Sequence, residues 1–409
     1  MRVRCASTRA CAALILAAVL LGPVPAASAQ SADTQALQQE IEELRRELTA
    51  VQQEYAERLN ALEARLDAER VQVPAVAPVA NSNIFNPDIA VIGNFLGASG
   101  SNAVSPGPAL EMAESEVSFQ AIVDPYARAD FFMAFGEEGV DLEEGFLTFP
   151  AVPGGLLVKV GKMRAAIGKV NTLHSHGVSW TDRPLVVSNL VGGEEGIADA
   201  GISVSRLIAN PWIFLEATGQ IYRGDSGDVF QSSTRGDLSY VGRLRGYRDL
   251  TDDTNVDLGL SYGRGHNASG VIDDVDIGRF TSDLWAIDAT VRWRPLQQAS
   301  YRSFLGRSEF FWSRREQPGG RQGAFGYYLS GDYQLTRRWF VGARYDRSER
   351  AEDVGLFDSG QSALLTFRPS EFSLVRGQYR RTAYGEGATA NELLFQFQFS
   401  IGTHGAHVF

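Results

Sequence analysis

The sequence predicts an all-β protein: a transmembrane antiparallel β-barrel of about sixteen strands, preceded by an N-terminal α-helical coiled coil. Three observations carry that expectation. The last third of the chain alternates apolar and polar side chains strictly. The N-terminus reads as an export signal. Between signal and barrel lies a heptad seam rich in charge and free of Gly and Pro.

The alternation is clearest in three segments. Trp285, Ile287, Ala289, Val291 and Trp293 alternate with Asp288, Thr290, Arg292 and Arg294. Tyr327, Leu329, Gly331, Tyr333 and Leu335 alternate with Tyr328, Ser330, Asp332 and Gln334. Near the C-terminus, Leu393, Phe395 and Phe397 alternate with Gln396, Gln398 and Ser400. Successive side chains of a strand point to opposite faces, so each segment has one apolar and one wet face. The apolar faces are rich in aromatics and the wet faces carry charges, which suits lipid outside and water inside a closed barrel.

Taken in order, the chain opens with Arg2, Arg4 and Arg9, an apolar core from Cys11 to Leu21, and a small-residue cleavage site at Ala27-Ser28-Ala29. Residues 1–29 are therefore expected to be a signal peptide. The apolar core is too short to span a membrane, and Pro23 and Pro25 follow it. Both cysteines, Cys5 and Cys11, fall inside it, so the remainder has no disulfide, thiol nucleophile or cysteine metal site. An exported chain of alternating strands is expected in the outer membrane of a Gram-negative bacterium, with outer-membrane lipid as its first partner.

Residues 30–71 are expected to be a periplasmic helix. Leu37, Ile41, Leu44, Leu48, Val51, Tyr55, Leu59, Leu62 and Leu66 recur at steps of three and four, a heptad seam with a stutter near Tyr55. A seam this narrow needs a partner helix, and identical subunits would supply it; the pattern leaves two strands or three open. Residues 72–87, rich in Pro, Ala and Asn, form an extended linker. The barrel is expected over 88–409.

Sixteen segments show strand character, from Ile89–Leu96 to Leu393–Ile401. Their connections alternate in length. Pro295 to Ala299 and Thr336 to Arg338 are expected to be short turns; His266–Ser282, Glu316–Gly323 and Glu349–Ser359 are expected to be long loops. The exception is the stretch at about 164–200, far longer than a tight connection needs. It holds Arg164, Lys169, His174, His176, Trp180, Asp182 and Arg183, and is expected to fold into the lumen and narrow it. Two hidden strands, one at Leu185–Val191, are the alternative.

The stretch Gly161 to Val186 resembles the equivalent region of the phosphate-selective porin O and P family. The shared pieces are Gly161-Lys162, Gly168-Lys169, Asp182-Arg183-Pro184, and Gly193 with Gly196. The resemblance extends over 85–409 and implies a sixteen-stranded trimeric outer-membrane channel. In that family lysines of the inward loop help to bind phosphate; Lys169 alone stands at such a place here. A coiled coil ahead of a barrel also looks like outer-membrane porins with an N-terminal trimeric coiled coil, some of which pass small dicarboxylates. Phe409 resembles the terminal aromatic by which the barrel assembly machinery recognises its clients.

The rest of the chemistry is mostly exclusion. A net charge of -11 argues against nucleic-acid partners. No phosphate-cradling GxxxxGKS loop and no HExxH motif occurs, so no enzyme and no cofactor are expected. His174-Ser175-His176, and His404 with His407, supply histidine pairs but not the three or four ligands a zinc site needs, so no metal is expected.

By parity the lumen wall carries Arg243, Arg245, Arg292, Arg294, Arg307, Arg344, Arg376 and Arg380, against Asp257, Asp288, Glu309, Asp332 and Asp346. Facing ladders of this kind either set up a field across a pore or stiffen the wall as cross-strand pairs. The surplus of arginine favours anionic or zwitterionic solutes. The expected function is diffusion of small hydrophilic, anionic solutes through an outer-membrane porin, a homotrimer. One alternative is a structural barrel that tethers the membrane to peptidoglycan through its coiled coil. An energy-coupled metal-uptake receptor ranks last, because such receptors have larger barrels and a globular plug.

Overall fold

The computed structural model describes Arg46, which is helical, and residues 87–402 except 137–138, 194, 228, 268–270, 273–274, 277–279 and 354. The expected signal peptide, the expected coiled coil apart from Arg46, the expected linker apart from Pro87, and His404, His407 and Phe409 lie outside the described residues.

The first strands are β1 (Asp88–Ser101), β2 (Leu110–Asp124), β3 (Ala127–Gly136), β4 (Gly139–Val152) and β5 (Leu156–Arg164). An inserted segment follows, with two single 3-10 turns and the helix α1 (Leu185–Leu190). Then come β6 (Ala198–Leu207), β7 (Phe214–Tyr222), β8 (Ser239–Thr251), β9 (Thr254–Asn267) and a small hairpin of β10 (Val271–Ile272) and β11 (Val275–Asp276). The remaining strands are β12 (Phe280–Trp293), β13 (Phe304–Gln317), β14 (Gly320–Gln334), β15 (Trp339–Glu349), β16 (Phe357–Ser370), β17 (Ser373–Ala383) and β18 (Thr389–Gly402). All but β10 and β11 join one closed antiparallel barrel, sealed where β1 pairs with β18 in the register Phe95↔Phe397. Closure leaves no sheet edge, the condition for strands to cross lipid with every backbone group paired.

Side-chain direction follows the sequence pattern. On β12, Ser282, Leu284, Ala286, Asp288 and Thr290 are buried in the lumen, while Ile287 and Val291 stand on the exposed outer face. Leu329, Leu365, Leu393, Phe395 and Phe397 continue that outer apolar face on β14, β16 and β18. Residues this apolar and this exposed are the expected face toward lipid.

Each of the sixteen expected segments is a barrel strand, and most run longer than the alternation predicts. The expected long loop Glu316–Gly323 is the clearest correction. Strands β13 and β14 continue through it, with Glu316 opposite Arg321 and Gln317 opposite Gly320. The tight turn depends on Gly319 and Gly320 at φ of 104° and 137°, which other residues rarely adopt. Conversely, the connection after β12, expected as a short turn, contains a 3-10 turn at Leu296–Gln298. Leu185–Val191, weighed as a hidden strand, is helical over Leu185–Leu190. Pro184 enters it with φ fixed at −55°, and Val186, Val187 and Leu190 are buried, so packing overrides the strand preference of a β-branched run.

The largest apolar core is not between two sheets but inside the barrel. Ala165, Ile167, Val170, Trp180, Val186, Val187 and Val191 of the insert, with no exposed surface, pack with Val241, Leu284, Ala286, Phe311 and Tyr328 of the wall.

Candidate functional site

The insert between β5 and β6 is closed at its neck by Asn171. Its Nδ2 donates to Ala165 O at 2.8 Å and Ile197 O at 3.0 Å, and its Oδ1 accepts from Ile197 N at 2.8 Å. Gly196 (φ 66°) passes so close that a Cβ there would strike Asn171 Oδ1. The two ends of the insert are thus held side by side, and the chain between them projects into the lumen.

There it meets the wall on many strands. Glu309 of β13 accepts from Lys169 N and Val170 N at 2.9 Å each, and from Tyr328 Oη at 2.8 Å. Arg243 of β8 donates to Gly168 O at 2.7 Å and pairs with Asp288 at 2.8 Å. Lys169 reaches Asp257 at 3.1 Å, which also holds Arg245 at 2.8 Å. Burial lowers the Lys169 pKa, and the nearby Arg292 adds to this against the attraction of Asp257. Further along the wall, Arg376 of β17 donates to Trp180 O at 3.0 Å and Arg307 of β13 to Ser179 Oγ at 3.1 Å.

Asp182 is the strongest anchor. Its carboxylate takes Arg344 at 2.7 Å and Arg380 at 2.9 Å, and Gln378 donates to it at 2.5 Å. Burial alone would raise its pKa, but the two guanidiniums outweigh that and hold it at about 2. Arg344 also pairs with Asp346 and Arg380 with Glu392. Asp182, Arg183 and Arg380 border a vestibule of about 570 Å³ on the side of the longer loops.

A second cluster joins the insert to β2 and β4. His174 Nε2 lies 2.9 Å from Glu144, and His174 Nδ1 lies 2.9 Å from Glu116 and 2.5 Å from Glu143. His176 stacks on His174 at 5.6 Å between ring centroids and lies 3.6 Å from Glu116. Burial opposes charge on His174, yet hydrogen bonds to the three glutamates outweigh it and raise its pKa well above the ordinary histidine range.

The residues expected to line the pore therefore fall into groups. Lys169, His174, His176, Asp182, Arg243, Arg245, Arg307, Arg344, Arg376 and Arg380 come together where the insert meets the wall. Arg164 and Arg183 are buried scaffold instead: Arg164 holds Glu195 O at 2.7 Å, and Arg183 holds Leu173 O at 3.0 Å. Arg292 is half-buried on the wall, and Arg294 is exposed at the rim, just past the end of β12. Glu116, Glu143, Glu144 and Gln378 carry the contacts that sequence reasoning missed. Glu143 and Glu144 both face the cluster because β4 slips register against β3 between Phe132 and Met133. Such a bulge re-aims side chains that strict alternation would place on opposite faces.

No known family model matches the sequence. An uncharacterised protein of Aquifex aeolicus is 29% identical over 336 residues, 72% of this chain and 69% of that one. Among solved structures, the anion-selective porin of Comamonas acidovorans superposes with a TM-score of 0.54 at 11% identity, covering 77% of this chain and 99% of that one. OprB of Pseudomonas putida gives 0.53 at 11% identity, covering 77% and 94%. OmpT of Vibrio cholerae, an outer membrane protein, gives 0.53 at 11% identity, covering 80% and 100%. At such identities the likeness concerns architecture: the chain has the closed sixteen-stranded barrel fold of outer-membrane porins.

Proposed function

We propose that this chain is an outer-membrane channel that passes small hydrophilic anions by diffusion. The observation that carries the reading is the tier of the wall nearest the short turns. Across β8 to β17 it sets Arg245, Arg292, Arg307, Arg368 and Arg376 against Asp249, Asp257 and Asp332, on neighbouring lumen-facing positions of the paired strands. Arg292 and Arg368 have no carboxylate in ion-pair contact among the described residues; Arg368 lies over the Phe340 ring at 5.0 Å. Cations left over after wall pairing are what an anion crossing a low-dielectric wall requires.

The insert fits a constriction: it is anchored on many strands, and a bound solute would meet Lys169 and the arginine tier beside it. A solved structure of Vibrio cholerae OmpT in trimer form, at a TM-score of 0.50, supports a homotrimer. A trimeric coiled coil at residues 30–71 would add to that association, and the barrel assembly machinery would insert the chain. The deciding experiment is planar-bilayer conductance of refolded protein under a salt gradient. Conductance in steps of three with a reversal potential of the anion-selective sign supports the reading. A cation-selective sign refutes anion passage, and a silent, folded protein refutes the channel.

A specific observation favours a second reading. The insert brings a dry core into the lumen, with Trp180 wholly buried against Tyr328 at 5.2 Å. A lumen so filled suits a structural barrel that holds the membrane to peptidoglycan through the helix at 30–71. Binding to purified cell wall that is lost on deleting that helix would select this alternative.

A further inference from the structure

The cluster around His174 has a shape that neither the constriction nor the wall pairing uses. Three parts of the chain converge on it: Glu116 from β2, Glu143 and Glu144 from the bulge of β4, and His174 and His176 from the insert. Glu116, His174 and His176 are buried. Glu144 is fixed at both oxygens: one accepts Arg164 N at 2.8 Å, the other faces His174 Nε2 at 2.9 Å. If His174 donates Nε2–H to Glu144, its Nδ1 is turned toward two carboxylate oxygens, from Glu116 and Glu143. A lone pair facing two anions is repulsive unless a cation lies among them.

A proton or a divalent ion would serve as that cation. The three carboxylates gather with one guanidinium, Arg164, 3.4 Å from Glu143, and with the His174 and His176 rings. The donor set also suits a metal, since imidazole nitrogens and carboxylate oxygens bind zinc-like ions. One ligating oxygen or nitrogen from each of Glu116, Glu143 and His174 lies within 4.8 Å of the others. Donors of a tetrahedral zinc ion stand about 3.3 Å apart; His174 Nδ1 lies 2.9 Å from Glu116 and 2.5 Å from Glu143. The His174–Glu144 contact is the outer carboxylate partner that metal-bound histidines ordinarily have.

We propose that Glu116, Glu143 and His174 form a divalent transition-metal site, with Glu144 as the positioning partner of His174 and His176 stacked beside it, that clasps the insert to the wall at β2 and β4. The histidine pair alone falls short of a ligand set, and the wall supplies the missing carboxylates. The site is independent of which solutes the barrel passes.

The test uses full-length protein refolded without a histidine tag, stripped with chelator, and titrated with zinc. Wild type is expected to retain about one zinc per chain after gel filtration, held by three protein ligands. Glu116→Gln and His174→Ala each abolish retention, while Glu144→Gln weakens it by roughly 10–100-fold. Zinc also raises the unfolding temperature of wild type and not of Glu116→Gln. Far-UV circular dichroism of each variant shows whether the barrel is intact. Folded wild type that retains no zinc, or zinc retained equally by folded Glu116→Gln and His174→Ala, overturns the proposal.

Discussion

Asp182 of the insert and Arg344 of β15 meet at two points. Arg344 donates through Nη2 to the Asp182 carboxylate at 2.7 Å and through Nη1 to the Asp182 carbonyl at 3.0 Å. The Arg344 side chain has no exposed surface, and its Nε holds Asp346 at 2.7 Å. One residue of the insert is thereby fixed in both side chain and backbone by one residue of the wall.

Removing Asp182 leaves two guanidiniums with half their partners. Breaking one side of a buried pair costs about 3–5 kcal/mol, because the remaining charge stays desolvated. Asp182→Ala is therefore expected to lower the urea midpoint of barrel unfolding in detergent and to add noise to single-channel records. An unchanged midpoint would mean that Asp346 and Glu392 suffice for both arginines.

The same pair sets a pH dependence. The folded Asp182 carboxyl sits at about 2, below the unfolded value, so its contribution is present at neutral pH. It is lost as pH falls from about 4 toward 2, with a magnitude of roughly 2 kcal/mol. The unfolding midpoint should lose an Asp182-dependent increment between about pH 5 and 2, as bounded by those values. Asp182→Asn should lack that increment; its persistence in the variant would assign it to another carboxylate.

Much of this was legible in the sequence, for a physical reason. A barrel strand in a membrane must be apolar on its lipid side and polar on its lumen side, so the period of two marks the strands, their faces and residues such as Arg307 and Arg376. What the pattern could not give was pairing. Glu143 and Glu144 look like opposite faces of one strand, and only the slip beside Met133 turns both toward His174. Leu185-Val186-Val187 has strand propensity, and its helix is imposed by burial under the wall. Arg164 and Arg183 carry the right charge for a pore, but Arg164 is taken by Glu143 and the Glu195 carbonyl and Arg183 holds the Leu173 carbonyl, contacts that no spacing announces.

The neck of the insert gives a paired prediction from one motif. At Gly193 (φ 75°) nothing lies within 4 Å of the place a methyl would take, so Gly193→Ala meets only left-handed backbone strain, about 1–2 kcal/mol. At Gly196 (φ 66°) the methyl would strike Asn171 and open the three hydrogen bonds that close the neck. Gly196→Ala should destabilise the folded barrel more than Gly193→Ala, as read by the temperature at which its electrophoretic mobility converts to the unfolded form. Equal effects would mean that the neck does not depend on Asn171.

Trp180 tests whether the insert's dry core matters to conduction. It is wholly buried, edge-on to Tyr328, with Arg344 over its ring at 5.0 Å. Trp180→Ala should cost about 3–5 kcal/mol and enlarge the passage beside the insert. The expected outcome is higher single-channel conductance with a lower unfolding temperature. Lower stability with unchanged conductance would place the conducting path away from this face of the insert.

Arg292 and Arg368 bear most directly on selectivity, because their charges are not consumed by ion pairs among the described residues. A paired arginine such as Arg243, 2.8 Å from Asp288, presents little net field to a passing ion. An unpaired one attracts anions and repels cations at short range, where counter-ions screen it least. Arg292→Gln with Arg368→Gln should therefore move the reversal potential under a salt gradient toward zero. Arg294→Gln, at the exposed rim, should move it less, and the shift should shrink as total salt rises. An unchanged potential in the double variant would show that the field at the constriction comes from Lys169 and its neighbours on the insert.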